Sequence, residues 1–433
     1  SITTATGLTA VGAGGTASAV AGIPFYSASS SMYTHDVSGT DDTASNNTAY
    51  GFTAMDAITT GDNNAAFGHN ALGANTTGAQ NVALGRNTLK TNTTGDYNVA
   101  VGDAALDVNS TGDNNVGIGS DALGFNTTGS DNVAVGYGAL SKNTTGTRNL
   151  AIGANAYDAS DTENDNLAIG YDAMTTNTAG GTRNVALGNY SEDALTSGDK
   201  NIGVGYGSLS AVTTGSENVG IGDNALGQLT TTNGNTALGS NAGFAVAGAS
   251  NTAIGQYALQ AATTTNDNTA VGASALTANT GGASTTGIGS GALSANTTGA
   301  SNTAVGAGSL NDNTTGANNV ALGRNTLSLN VTTSSNTAIG HEALKANTAS
   351  NNTAVGNAAL VANTTGASNT AMGHSALAAS TTGTENVAVG MYALDASGAG
   401  TDGSYNVAVG NDALGANTEG QFNVAVGRRA LYA

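Results

Sequence analysis

From Asn47 onward one pattern returns about every 17 residues. It reads Asn, Val or Thr, Ala or Gly, a bulky apolar residue, Gly, two variable residues, Ala-Leu, two variable residues, Asn-Thr-Thr-Gly and two more variable residues. The leading Asn falls at Asn64, Asn81, Asn98, Asn115, Asn132, Asn149 and Asn166, and later at positions such as Asn184, Asn302 and Asn423. Counting Asn47, and Thr285 in place of Asn, the chain holds 23 copies. A fixed short period marks stacked repeats, each too small to bury its own apolar face. Repeat positions are numbered 1 to 17 from the leading Asn.

Glycine recurs inside every unit and Asn-Thr-Thr-Gly is turn chemistry, so a helical reading fails. A short β-rich triplet, a Gly corner, a second segment at Ala-Leu and a Thr-Gly turn make one coil. The pattern therefore predicts an all-β fold, a parallel β-solenoid (β-roll) of 17-residue coils, rod-shaped. At roughly 4.8 Å per coil, 23 coils make a rod on the order of 110 Å long. The leading Asn residues are expected to stack as a ladder between coils. Positions 4 and 9, bulky in nearly every copy, are expected to fill a narrow core. Position 3 never exceeds Ala, which predicts a close neighbour there and favours lateral trimerisation. Position 5, always Gly, reads as a corner needing positive φ or close backbone approach. Glu192 and Gly243 replace the usual Leu at position 9, and local distortion is expected at both.

Two domains are read: residues 1–46 as an N-terminal cap or assembly arm, with a degenerate coil at Thr9-Ala10-Val11-Gly12, and residues 47–433 as the solenoid. The period lengthens between Asn166 and Asn184 and between Asn386 and Asn406, and the extra residues (Ala179-Gly180-Gly181 and 396–404) are expected to form loops on one face. Leu431-Tyr432-Ala433 stops mid-coil, which suggests either a longer natural chain or an end that docks on another subunit.

Composition narrows the function. Ten Lys and Arg against 29 Asp and Glu give a formal charge of −19, a surface too poor in cations to collect phosphates. Nucleic acid and anionic lipid are excluded as partners on that ground. The absence of Cys removes disulfides, thiolate metal sites and Cys nucleophiles. No apolar run approaches the ~18 residues of a membrane span, so membrane insertion is not expected. The chain starts at Ser1 without Met, a hint of processing and export.

The pentapeptides Asn-Val-Ala-Val-Gly and Asn-Thr-Ala-Ile-Gly at this spacing resemble the head repeats of YadA-like trimeric autotransporter adhesins. The full unit, clean from Asn132 to Gly146, is more similar to repeats of bacterial surface-fibre and phage tail-fibre proteins. The resemblance covers residues 47–433 and implies a parallel β-roll, often in a homotrimer whose small residues face the neighbouring chain. The heptad stalk, membrane-anchor barrel and chaperone segment of the autotransporters do not appear in these residues.

Candidate sites come from the repeated polar positions. Carboxylates recur just before the leading Asn, at Asp62, Asp96, Asp113, Asp131, Asp165, Asp199 and Glu217. Stacked on one edge at about 5 Å they repel. A Ca²⁺ bound along that edge would relieve the repulsion, as would water and salt; otherwise no cofactor is expected. Asn-x-Thr/Ser recurs at Asn75, Asn92, Asn109, Asn126, Asn143, Asn296, Asn313 and Asn363, matching glycosylation acceptors in the predicted turn, although the same residues are good turn chemistry. His35, His69, His341 and His374 are scattered, and the last three occupy variable position 6. No carboxylate cluster with Arg or Lys interrupts the repeat, so no enzyme is expected. Gly203-Val-Gly205-Tyr-Gly207 is a product of the repeat rather than a nucleotide loop.

The reading that results is a structural extracellular fibre subunit on a cell surface or virion, self-associating as a homotrimer or a head-to-tail filament and serving adhesion. Two alternatives stand beside it. An ice-binding solenoid would use the Thr76-Thr77, Thr93-Thr94 and Thr127-Thr128 pairs. A glycan-binding viral tail fibre would stack surface sugars on Tyr97, Tyr137, Tyr171, Tyr206 and Tyr257.

Overall fold

The structure, a computed structural model, describes residues 18–20, 23–28, 31–33, 43–177, 180–261, 263–396 and 403–432. The chain is all-β: three-residue strands recur once per repeat and pair in parallel, as a β-solenoid requires. It divides into two compact units, Ser1–Glu217 and Asn218–Ala433. Among the described residues of the first unit, ten repeat strands run from Thr48–Tyr50 to Ile202–Val204. Their pairing is in strict register, with Val99 opposite Val116 and Ala100 opposite Gly117. The described residues of the second unit hold thirteen such strands, Val219–Ile221 to Val424–Val426, paired likewise from Val219 opposite Thr236 onward. Ahead of the first coil, Ser18–Val20, Ile23–Ala28 and Ser31–Tyr33 pair antiparallel in turn, and Met32 then pairs in parallel with Thr48. The degenerate coil at Thr9 to Gly12, His35 and Ala179 lie outside the described residues, as do residues 397–402 of the second predicted loop.

The strands face the opposite way from the sequence expectation. Position 3 points inward: Ala83, Ala100 and Ala134 are fully buried. Position 4 points outward, with Tyr50 50 % and Leu84 50 % exposed. Space decides the direction. A Cβ built on Gly117 at position 3 would stand 3.3 Å from Cγ of Leu106, so the interior at this wall admits no more than a methyl group. The core is therefore made of Ala at positions 3 and 8, Leu at position 9 and two columns of Asn. The position 3 column meets its own coil and the preceding one, inside its own chain, so its small residues give no support to a trimer.

Turns carry unusual backbone. Asn87, Leu89 and Tyr97 (positions 7, 9 and 17) have φ of 58°, 47° and 58°. A left-handed residue other than Gly costs about 1–2 kcal/mol, whereas burying a Leu side chain returns about 1.5–3 kcal/mol. Burial wins, and the left-handed Leu recurs throughout. At position 5 only Gly serves. Gly119 has φ +134°, and a Cβ there would lie 2.3 Å from the Gly136 carbonyl oxygen of the next coil.

Distortion at the two position 9 exceptions does not occur. Glu192 keeps φ 51° and Gly243 φ 57°, and their N–H groups still reach Ser208 O at 3.0 Å and Ala258 O at 2.9 Å. Backbone bonds between coils hold the conformation whatever the side chain.

Candidate functional surfaces

Two Asn ladders stiffen the interior. At position 1, Asn98 Nδ2 donates to Gly112 O at 2.9 Å, and its Oδ1 accepts the Asn115 N–H at 2.9 Å. At position 12, Asn109 Nδ2 donates to Asn92 Oδ1 at 3.0 Å and to the same Gly112 O at 3.0 Å. The ladders thus converge on one carbonyl per coil. The position 1 ladder also crosses both long repeats, from Asn184 N to Asn166 Oδ1 at 2.8 Å and from Asn406 N to Asn386 Oδ1 at 3.0 Å.

This geometry corrects the glycosylation expectation. Asn75, Asn92, Asn109, Asn126, Asn143, Asn296, Asn313 and Asn363 all occupy position 12 and are fully buried. Their amides face the core and donate to the ladder, leaving no room for a glycan in the folded coil. A signal was available in the sequence, since Ile58, Leu195 and Val212, all fully buried, replace this Asn in other coils of the first unit, an exchange that suits an interior site. Where the column is broken, the cost is visible. Asn143 is followed by Ser160 at the next position 12, and Asn143 Oδ1 has no partner.

The expected carboxylate edge separates into two columns. Asp62, Asp96, Asp113 and Asp199 stand at position 16, half-buried, and their Oδ1 atoms accept backbone N–H groups of Ser45, Ala79, Asp96 and Thr182 in the preceding coil at 2.7–2.8 Å. Asp131 and Asp165 stand at position 17 on the surface with Arg148 between them in the same column. Arg148 Nε donates to Asp165 Oδ1 at 2.6 Å, and this bond holds the Asp165 carboxyl below the usual range. Glu217 pairs with Lys200 at 3.0 Å. Repulsion along the edge is met by backbone amides and cations one coil away. Among the described residues no group of three or more His, Asp or Glu side chains is arranged to hold a metal ion. No helix there is long and apolar enough to cross a membrane.

Three outward surfaces remain. The strand face carries positions 2 and 4, a pair of apolar columns: Val82, Leu84, Ile118, Ile152 and Leu187 in the first unit are 37–50 % exposed. The Thr turn forms a second. Its position 13 hydroxyls donate to the next coil, as Thr76 to Thr93 O at 3.0 Å and Thr127 to Thr144 O at 2.8 Å, and in these coils Thr77 and Thr128 at position 14 are the exposed residues. The third is the corner of positions 6, 7, 10 and 11, where shallow grooves open. One of about 240 Å³ is lined by Asp121, Phe125, Tyr137, Ser141, Asn155 and Asp158. Another of about 230 Å³, in the second unit, is lined by Tyr392, Asp395, Asp412 and Tyr432. Burial raises the Asp158 and Asp395 carboxyls above their usual range. His69, His341 and His374 are exposed on this corner, His69 stacked on Phe52 at 5.8 Å.

Of the five tyrosines read as sugar platforms, Tyr137, Tyr171 and Tyr206 share position 6; Tyr97 stands at position 17 and Tyr257 at position 7. Sequence reasoning overlooked Tyr190, which touches both Tyr171 and Tyr206 edge-on at 5.6 Å. No protein-family model, no curated protein and no solved structure matches this chain.

Proposed function

We propose that this β-solenoid repeat protein is a structural subunit of an extracellular fibre on a cell surface or virion, and that it self-associates laterally through its strand face. The observation that carries the reading is the paired apolar columns at positions 2 and 4. A contiguous exposed apolar patch of several hundred Å² is often functional. Ten strands at ~4.8 Å and three residues at ~3.3 Å give the first unit a face of about 480 Å². A pair of copies would bury about 960 Å² there, close to the roughly 1,000 Å² of a specific interface. The interior supports a mechanical role as well, because each coil adds backbone bonds to the next and most coils add two Asn rungs. Electron microscopy of the purified chain tests the proposal. Lateral bundles or filaments are expected; single dispersed particles at all concentrations contradict it, and strictly linear strings one chain wide would replace lateral with end-to-end assembly.

A second reading, ice binding, draws on a Thr column different from the one first considered. In the second unit Thr236, Thr252, Thr269, Thr286 and Thr303 occupy position 2 in register on the outward strand face. Thermal hysteresis of the purified chain supports this reading, and its absence removes it.

A further inference from the structure

We propose that the first unit carries a track for a neutral β-1,4-linked polysaccharide along its position 6 corner, with Tyr137, Tyr171 and Tyr206 as the stacking platforms. These tyrosines occupy position 6 of alternate coils, those beginning at Asn132, Asn166 and Asn201, while Ala154 and Asn189 hold that position in the coils between. They are 63 %, 45 % and 57 % exposed. Alternate coils are separated by about 9.6 Å along the stack. A β-1,4-linked glycan advances about one pyranose ring per coil and turns over at each linkage. Every second ring therefore presents the same face, which is the spacing of the three tyrosines.

The platforms are held in place before any ligand arrives. Tyr190, from the coil between, meets Tyr171 and Tyr206 at 5.6 Å with planes at 75° in both cases. That edge-to-face packing restrains the two rings at little entropic cost. At the other end of the track, Phe125 and Tyr137 flank the groove of about 240 Å³ whose polar wall is Ser141, Asn155 and Asp158. Sugar hydroxyls would find acceptors there beside an aromatic surface, the composition of pyranose recognition in general.

Charge sets the class of sugar. Asp158 lies in the field of Asp172, and Asp172 also acts on Asp193, with Lys142 opposing at Asp158. A uronate or sulfate chain laid along this corner would meet net repulsion, which excludes anionic glycans and is consistent with a neutral one. The track needs only one copy of the chain, so it stands whether or not the fibre assembles.

Affinity electrophoresis of the full chain in gels containing hydroxyethyl cellulose, glycol chitin or polygalacturonate tests the proposal. Titration with cello- and N-acetylchito-oligosaccharides, read by tyrosine fluorescence because the chain has no Trp, gives the length dependence. Retardation by at least one neutral polymer and none by polygalacturonate is expected, with affinity rising up to five rings, the span from Tyr137 to Tyr206. The triple variant Tyr137→Ala, Tyr171→Ala, Tyr206→Ala should lose about 5-fold or more in affinity, with an unchanged circular-dichroism melt. A Tyr97→Ala, Tyr257→Ala control should bind as the native chain does. Failure of both neutral polymers, equal retardation by the anionic one, or undiminished binding by the triple variant overturns the proposal.

Discussion

The side-chain oxygen of Asn115 accepts the backbone N–H of Asn132 at 3.0 Å, while its amide donates to Gly129 O at 2.8 Å. One side chain thus satisfies its own coil and the next, in a site with no access to water. Asn115→Ala leaves the buried Asn132 N–H bare, at about 1–3 kcal/mol, while Gly129 O keeps the bond from Asn126 Nδ2 at 2.9 Å. A clear fall in melting temperature is expected, with new proteolytic cleavage confined to the neighbouring coils. An unchanged melt would mean that the ladder contributes little.

Glycines at position 5 differ sharply from those in the long repeat. Gly119→Ala drives a Cβ into the Gly136 carbonyl as well as straining φ, and should abolish stacking at that coil. Gly180, at φ +106°, has open space around it, with nothing within 4 Å of where a Cβ would stand. Gly180→Ala should therefore cost only backbone strain, about 1–3 kcal/mol. Limited proteolysis of the two variants side by side distinguishes them.

Inward and outward strand positions should respond oppositely to size. Ala100→Val overfills the interior and should destabilise by about 1–3 kcal/mol. Val101→Phe, on the outer face where Phe67 already stands, should leave the melt nearly unchanged. Equal effects from both would contradict the assigned facing.

This facing was the part of the fold least legible in sequence. The period, the Gly corner and the position 1 ladder followed from strict recurrence. The inward side did not, because a Val-Ala-Val triplet reads equally well in either direction and bulk was taken as the sign of burial. Tolerance was the better guide: position 4 accepts Tyr50, Phe67, Leu84 and Met372, as only an open site can, while position 3 never exceeds Ala. Position 12 was misread for a related reason. Asn-Thr-Thr-Gly is good turn chemistry locally, and its role as an interior rung depends on the coil above, which no single repeat reveals. The position 6 tyrosines were found, but their shared column became visible only once the coils were stacked.

Glu192 gives the first unit a pH-dependent weak point. It is fully buried where other coils place Leu, and burial raises its carboxyl well above the ordinary 4.5, with the Gly203 backbone acting in the opposite direction. A carboxyl with a raised folded-state value favours the folded chain fully below about pH 4.5, and that contribution is lost as pH rises through the folded value. The native chain should lose stability as pH rises above about 4.5, relative to Glu192→Leu. Denaturant melts of both across that range measure it; parallel pH profiles would contradict the assignment.

The most direct measurement of the account is the solution mass of the native chain beside the triple variant Leu84→Lys, Ile118→Lys, Ile152→Lys, by sedimentation at micromolar concentration. The native chain should sediment as a multiple of 41.7 kDa, and the variant as a single copy with the same β-sheet spectrum. A native chain that remains at 41.7 kDa, or a variant that associates as well as the native one, contradicts lateral assembly through the strand face.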